Sequence, residues 1–469
     1  MWLNTGLAFG PVSLLRLGIG YKEGKIQFGV DASVCCTGLT IHFQELLLKI
    51  DTADFRYPAV SLRGMELSLV TASFSIGGSL RKVSEMPLEY EGSLLFSVGD
   101  WNLTAIGSYS EAEGHPSIFA YGVLRTRLMG PPAFTVTGLA AGFGYQRSLI
   151  LPEIEQMETF PLVCMAFGQG GEEEHIRLLK EQYVKEEAGS MWLAAGVCFT
   201  SFQMVNSYAL LTVMFAKRLE VALLGLGTLS HGSIAKATLC LKAKFCPDEG
   251  EFSLMAALTK DSYILSEQCR LMGGFALYVW YGGIHKGDFV LSLGGYHDSF
   301  QKPPHYPVVA RLGFSWAIDQ YLTFSGGIYF AVTPACIMAG GNIDARYENG
   351  NLKAWFYARA DFLMHWKPAF YQLELSVGLG ASYRVDCLFV HHTFTVELAA
   401  SLRLWGPEFS GVANITWWII SFTIRFGNGT DAIQYLTWDD FLDQCIQPRQ
   451  TNKLSGRSEG RGYAAIFVA

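Results

Sequence analysis

Charge is scarce in this 469-residue chain. Asp, Glu, Lys and Arg make up 16% of it, against about a quarter in ordinary domains. A disordered chain needs high charge and few aromatics, so that class is excluded. With 50 glycines, a long helical bundle would lose about 1 kcal/mol at each interior glycine. The ten cysteines contain no Cys-x-x-Cys, which removes zinc-ribbon and thioredoxin-type readings. Small, reduced, mostly buried thiols are expected instead, as in an intracellular and cytoplasmic protein. No basic segment opens Met1-Trp2-Leu3-Asn4-Thr5-Gly6, so no secretory signal peptide is expected. The stretches 188–216 and 320–343 lack charge, but Gln203, Asn206, Gly326, Gly327 and Pro334 argue against spanning helices. The net charge of -7 offers no phosphate-binding surface, and nucleic acid is not an expected partner.

What the chain does have is alternation with period two. Ile26, Phe28, Val30 and Ala32 share one face against Lys25, Gln27, Asp31 and Ser33. Leu352, Ala354, Phe356, Ala358, Ala360 and Phe362 oppose Lys353, Tyr357, Arg359 and Asp361. Phe394, Val396, Leu398, Ala400 and Leu402 repeat the pattern against Thr395, Glu397, Ser401 and Arg403. Successive side chains of a strand point to opposite faces, so these segments read as β-strands with one apolar face. Lys22-Glu23-Gly24-Lys25, Pro247-Asp248-Glu249-Gly250 and Glu348-Asn349-Gly350-Asn351 supply tight turns between them. Strand, turn, strand without crossovers means antiparallel pairing. The expected fold is mainly β: a long antiparallel meander forming a large curled sheet or barrel-like body.

Helical spacing occurs once clearly. In Glu172 to Glu187, Ile176, Leu179 and Tyr183 fall on one face, and acidic residues open the segment. The expected organisation is a first β-rich half (1–152), a helical insertion (153–189), a second β-rich half (190–427), and a short helix with a disordered tail (428–469). That helix is placed at Trp438 to Cys445, capped by Thr437. Close glycines recur beside aromatics at Gly18-Ile19-Gly20-Tyr21, Gly142-Phe143-Gly144-Tyr145, Gly294-Gly295-Tyr296 and Gly378-Leu379-Gly380. Glycine at alternate strand positions leaves room for a neighbouring ring or a bend.

Motifs for chemistry are few. No Gly-x-Gly continues as G-x-G-x-x-G into a helix, no Walker sequence occurs, and no cofactor is expected. Adjacent His391 and His392 would face opposite sides of a strand, and no metal site is expected. The densest polar segment is Tyr296-His297-Asp298-Ser299-Phe300-Gln301-Lys302-Pro303-Pro304-His305-Tyr306-Pro307. There His297 with Asp298 or His305 could shuttle a proton near neutral pH. The plain alternative is that prolines stiffen a long connection and the histidines bond to backbone. A runner-up group is Asp361, His365, Trp366 and Lys367, which also reads as a strand end.

The series Gly138-Leu139-Ala140-Ala141-Gly142-Phe143-Gly144-Tyr145, Trp192-Leu193-Ala194-Ala195-Gly196-Val197 and Leu293-Gly294-Gly295-Tyr296-His297 resembles a large β-rich family of unknown function found in filamentous fungi and bacteria. Pro304-His305-Tyr306-Pro307, Trp366-Lys367-Pro368 and Phe394-Thr395-Val396-Glu397-Leu398 continue it. The resemblance covers roughly residues 7 to 447 and implies a shared fold without an activity. The expected function is non-catalytic binding of a hydrophobic small molecule, a lipid or a protein partner, with membrane association left open. The alternative is a cofactor-free isomerase, cyclase or hydrolase acting on a hydrophobic molecule through the His297–His305 loop.

Overall fold

The computed structural model describes residues 1–427 except 23, 37, 53–58, 113–114, 129, 132, 367–368, 388–389, 407 and 419. The expected helix at Trp438–Cys445 and the tail after Pro448 lie outside the described residues, as does Lys367.

Nearly everything described is strand, as the alternation requires. In chain order these are β1 (Trp2–Phe9), β2 (Val12–Lys22), β3 (Lys25–Cys36), β4 (Leu39–Asp51), β5 (Ala59–Val70), β6 (Phe74–Glu85), β7 (Leu88–Val98), β8 (Trp101–Ala112), β9 (His115–Arg125), β10 (Thr135–Leu149), β11 (Val184–Ser201), β12 (Val205–Phe215), β13 (Leu219–His231) and β14 (Ala235–Cys246). There follow β15 (Glu251–Leu258), β16 (Tyr263–Ile264), β17 (Ser266–Met272), β18 (Gly274–Trp280), β19 (Phe289–Leu293), β20 (Leu312–Ala317), β21 (Leu322–Val332), β22 (Cys336–Asn349), β23 (Leu352–Trp366), β24 (Ala369–Cys387), β25 (Val390–Gly406), β26 (Ser410–Trp417) and β27 (Ile420–Phe426). The charge-poor stretches 188–216 and 320–343 are strand and turn, and among the described residues no helix is long and apolar enough to cross a membrane.

The chain forms two compact units, 1–230 with 238–249, and 231–237 with 250–469. In the first, each strand from β1 to β13 pairs antiparallel with the next. β1 pairs with β2 antiparallel at the start of this meander.

Between β10 and β11 the chain leaves the sheet as a short 3-10 turn (Ile154–Thr159), helix α1 (Pro161–Ala166) and helix α2 (Glu172–Leu178), which continues as a π turn over Leu179–Tyr183. The expected helix over 172–187 therefore stops early. Val184, Lys185 and Glu186 pair with Leu149, Ser148 and Arg147 as the start of β11. Val184 is buried as part of the ladder, and Lys185, Glu186 and Glu187 after it give a helix no apolar residue to bury. Helix α1 was not anticipated, because the apolar run Leu162 to Ala166 carries no helical period. It lies against the sheet: Phe160, Leu162 and Val163 are buried, and the Leu162 carbonyl accepts from the Tyr121 hydroxyl at 2.9 Å. Lys180 docks on β7, bonded to Glu89 and Glu91 at 2.5 Å each.

The second unit departs from simple order at several points: β15 pairs with β18 and β17 with β20. β21 shares one edge between two strands: β19 pairs along Phe330–Val332 and β20 along Thr323–Ile328. The connection 294–311 leaves the sheet between them. From β21 to β27 the meander is again sequential.

Of the recurring glycine–aromatic sequences, Gly142-Phe143-Gly144 and Gly378-Leu379-Gly380 share a cause, while Gly294 and Gly295 adopt positive φ against backbone. Tyr121 stands directly across from Gly142, Trp192 from Gly144, Tyr329 from Gly340, Tyr357 from Gly378 and Trp355 from Gly380. Each ring lies over its glycine, where a Cβ would fall far inside van der Waals contact. Large rings can then lie along the sheet without splaying the strands.

Candidate functional site

The register assembles the alternating apolar positions into rows that cross many strands. In the first unit Leu94, Ala105, Gly122, Ala141, Ala195, Leu211 and Leu223 are consecutive partners across β7–β13. The row beside it holds Gly92, Gly107, Ala120, Phe143, Leu193, Val213 and Val221. A third runs from Phe96 through Leu139 to Gly225, and a fourth, Tyr90, Tyr109, Ile118, Tyr145, Met191, Phe215 and Leu219, ends the band in aromatics. None of these positions carries a charge. The face is also open: Leu139 is 45% exposed, Phe143 42%, Leu193 46% and Leu211 44%. The opposite face is the buried one, with Phe119, Tyr121, Trp192 and Leu210 under the helical insertion.

The second unit repeats this arrangement. Gly326, Ile343, Ala358, Val377, Ala400, Ile415 and Phe422 form one row across β21–β27. Phe324, Ala345, Phe356, Leu379, Leu398, Trp417 and Ile420 form another. Leu379 is 50% exposed and Ile420 65%. On the other face Arg359 approaches Asp344 at 3.7 Å, and Arg403 approaches Glu374 at 3.0 Å. With strands about 4.8 Å apart and rows about 6.7 Å apart, the seven strands by four rows of the first unit cover roughly 600–900 Å². That reaches or exceeds the largest apolar patch of a typical monomer, and such patches mark binding surfaces.

The segment 294–311 is a cap on the polar face of the second unit. Tyr296 and Phe300 pack against Tyr329, Ala331, Cys336, Met338 and Leu363, and also against Trp280, Val290 and Tyr306. The cap gives the three sequence candidates different surroundings. His297 is buried; its Nδ1 accepts from the Ser299 amide at 3.1 Å, and its Nε2 has no partner among the described residues. Its ring meets Tyr329 edge-on at 6.2 Å, and the Tyr329 hydroxyl donates to Asp361 at 2.7 Å. Asp298 is exposed and, among the described residues, pairs only with Arg311, at 3.4 Å. His305 donates from Nε2 to Asp288 at 2.8 Å and stacks on His285 at 3.8 Å. The second oxygen of Asp288 accepts from Tyr306 at 2.6 Å and from the Phe289 amide at 2.8 Å.

His297 and His305 thus share no direct partner. His297 belongs with Asp361 and His365 of the runner-up group, while His305 belongs with Asp288 and His285, which the sequence reading missed. A Gly-Gly-x-His turn and a lone Asp before β19 carry no motif; only the folding back of 294–311 joins them. Asp288 and His305 have the contact of an acid–base pair. The carboxylate is nevertheless occupied by Tyr306 and backbone, and His285 covers the imidazole, so these contacts hold the cap down. Burial, and then the Asp288 bond, raise the Tyr306 phenol above its ordinary value.

Burial, followed by the nearby His297, holds His365 below the ordinary histidine value. The folded chain then takes up this proton less readily than the unfolded chain. Stability from this group is full above the unfolded pKa of about 6.5 and falls as pH drops through it towards the folded value. Urea midpoints should therefore decline between pH 7 and pH 5. His365→Gln should flatten that decline; an unchanged slope would remove His365 as its cause.

Fold and faces together define an antiparallel β-meander protein with an open apolar face and an ion-paired polar one. The chain belongs to a family of unknown function (DUF6603), whose model matches residues 5–463. No curated protein matches it.

Proposed function

We propose that the protein is a non-catalytic lipid binder whose apolar sheet face takes acyl chains. The observation that carries this is the run of uncharged rows across seven successive strands, open to solvent in both units. Acyl chains need contact area and no hydrogen bonds, and these rows offer area alone. A protein partner would ordinarily bring about one hydrogen bond per 100–200 Å², and the inner rows present no group to receive it. The tyrosines at one end of the band, Tyr90, Tyr109 and Tyr145, have an apolar ring and a polar tip, suited to the boundary between acyl chain and water. With a net charge of -7 the chain is a poor match for an anionic membrane surface, so the occupant is a bound lipid.

The test is organic extraction and mass spectrometry of the full chain purified from a eukaryotic host, beside uptake of fluorescent phosphatidylcholine from neutral vesicles. Glycerolipid or fatty acid should co-purify at one or more per chain. Leu193→Glu with Leu379→Glu should reduce this at least tenfold while circular dichroism stays that of β-sheet. Lipid-free protein that takes up no probe would end the reading. A lipid-free dimer in light scattering would assign the face to a second copy instead.

A further inference from the structure

The polar face of β22–β24 carries a second feature, opposite the apolar rows and independent of what they bind. Trp355 and Tyr357 lie two residues apart on β23, each over the glycine across from it on β24, Gly380 and Gly378. With no side chain beneath, both rings form a floor. Above that floor is a cavity of about 580 Å³, within the range of small-ligand sites. Arg346 stands across from Trp355 and Asp344 across from Tyr357. Lys353, Glu348 and Arg359 complete the walls. Asp344 is engaged by Arg359 at 3.7 Å and Asn342 at 2.7 Å, and Glu348 by Lys353 at 2.5 Å. The Arg346 side chain makes neither an ion pair nor a hydrogen bond among the described residues.

We propose that this cavity is a carbohydrate-binding site that takes a pyranose-based oligosaccharide across Trp355 and Tyr357. A pyranose offers an apolar C–H face to an aromatic ring and a rim of hydroxyls that both donate and accept. Side chains two apart on a strand stand about 7 Å apart, so neighbouring sugar rings can each meet one aromatic. Asp344 and Glu348 accept from hydroxyls, and Arg346 donates to them in fork geometry. A nucleotide fits less well: its phosphates would lie beside Asp344 and Glu348, and it brings few donors for them. The surplus cation favours a sugar bearing a carboxylate over a neutral one.

The experiment is isothermal titration of the full chain with cellopentaose, chitopentaose, maltopentaose and pentagalacturonate, with AMP as the competing class. At least one pentasaccharide should bind at one site per chain. Trp355→Ala should weaken it by about tenfold or more, equivalent to about 1.4 kcal/mol. Because Trp355 also covers Gly380, a thermal melt accompanies each variant. Arg346→Ala removes no packing, so a loss of about fivefold or more at unchanged melting temperature, largest for pentagalacturonate, reports the site itself. Absence of binding by all four sugars, indifference to both substitutions, or preference for AMP would each overturn the proposal.

Discussion

A single methyl group at Gly144 is expected to destabilise the first unit by about 3 kcal/mol, the upper part of the overpacking range. The Trp192 indole lies across Gly144 and is fully buried, with Phe119, Tyr121 and the helical insertion on the same face. A Cβ at 144 would fall inside that ring. The ring is fully buried, so it can retreat only by displacing the groups packed around it. Gly20→Ala is the control, since nothing lies within 4 Å of a Cβ there; it should stay within about 0.5 kcal/mol. Urea unfolding followed by near-ultraviolet circular dichroism measures both. At a slope of about 3 kcal/mol per molar, Gly144→Ala should lower the midpoint by about 1 M. Equal midpoints for the two variants would mean that the ring-over-glycine pairs carry no weight.

Much of this architecture could be read from residue order. Side chains alternate strictly in a strand, so Leu352 to Phe362 and Phe394 to Leu402 declared their faces. Gly24, Gly250 and Gly350 adopt the positive φ that their turns demanded. Pairing of glycines with aromatics was visible as recurrence, but the partner of each was not. Gly144 pairs with Trp192 and Gly380 with Trp355, and the ladder register that joins them is not local information. The sense of burial was also hidden. Phe119, Tyr121 and Val123 alternate with Ala120, Gly122 and Leu124, so both faces of β9 are apolar on paper. Which one faces solvent is decided by the insertion at 153–183, which covers the first set and leaves the second open.

The cap separates the two kinds of information most sharply, because a conspicuous residue there should matter little and an inconspicuous one a good deal. Asp298 sits in the densest polar run of the sequence, yet its side chain is 97% exposed and, among the described residues, pairs only with Arg311. Exposed pairs of this kind contribute about 0–1 kcal/mol, so Asp298→Ala should be nearly silent. Asp288 has few polar neighbours in sequence, His285 and Lys286 alone, yet it receives His305, Tyr306 and the Phe289 amide. Replacing it by alanine strips the main partner from a phenol that is 6% exposed and frees an imidazole held between Trp280 and His285. Unpairing such buried groups costs about 1–3 kcal/mol each. The Tyr306 hydroxyl keeps a weaker contact to the Phe289 carbonyl at 3.3 Å, so a total of about 2–3 kcal/mol is expected. The loss should be local. Hydrogen exchange should rise across 294–311 and leave β22–β24 protected, since the cap packs on that sheet but is not part of its ladder. Asp288→Asn, which keeps an acceptor for Tyr306 but gives up the charge opposite His305, should fall between alanine and wild type. If Asp288→Ala left exchange in 294–311 unchanged, the cap would be held by Tyr296 and Phe300 packing alone, and the His305–Asp288–Tyr306 contacts would be incidental.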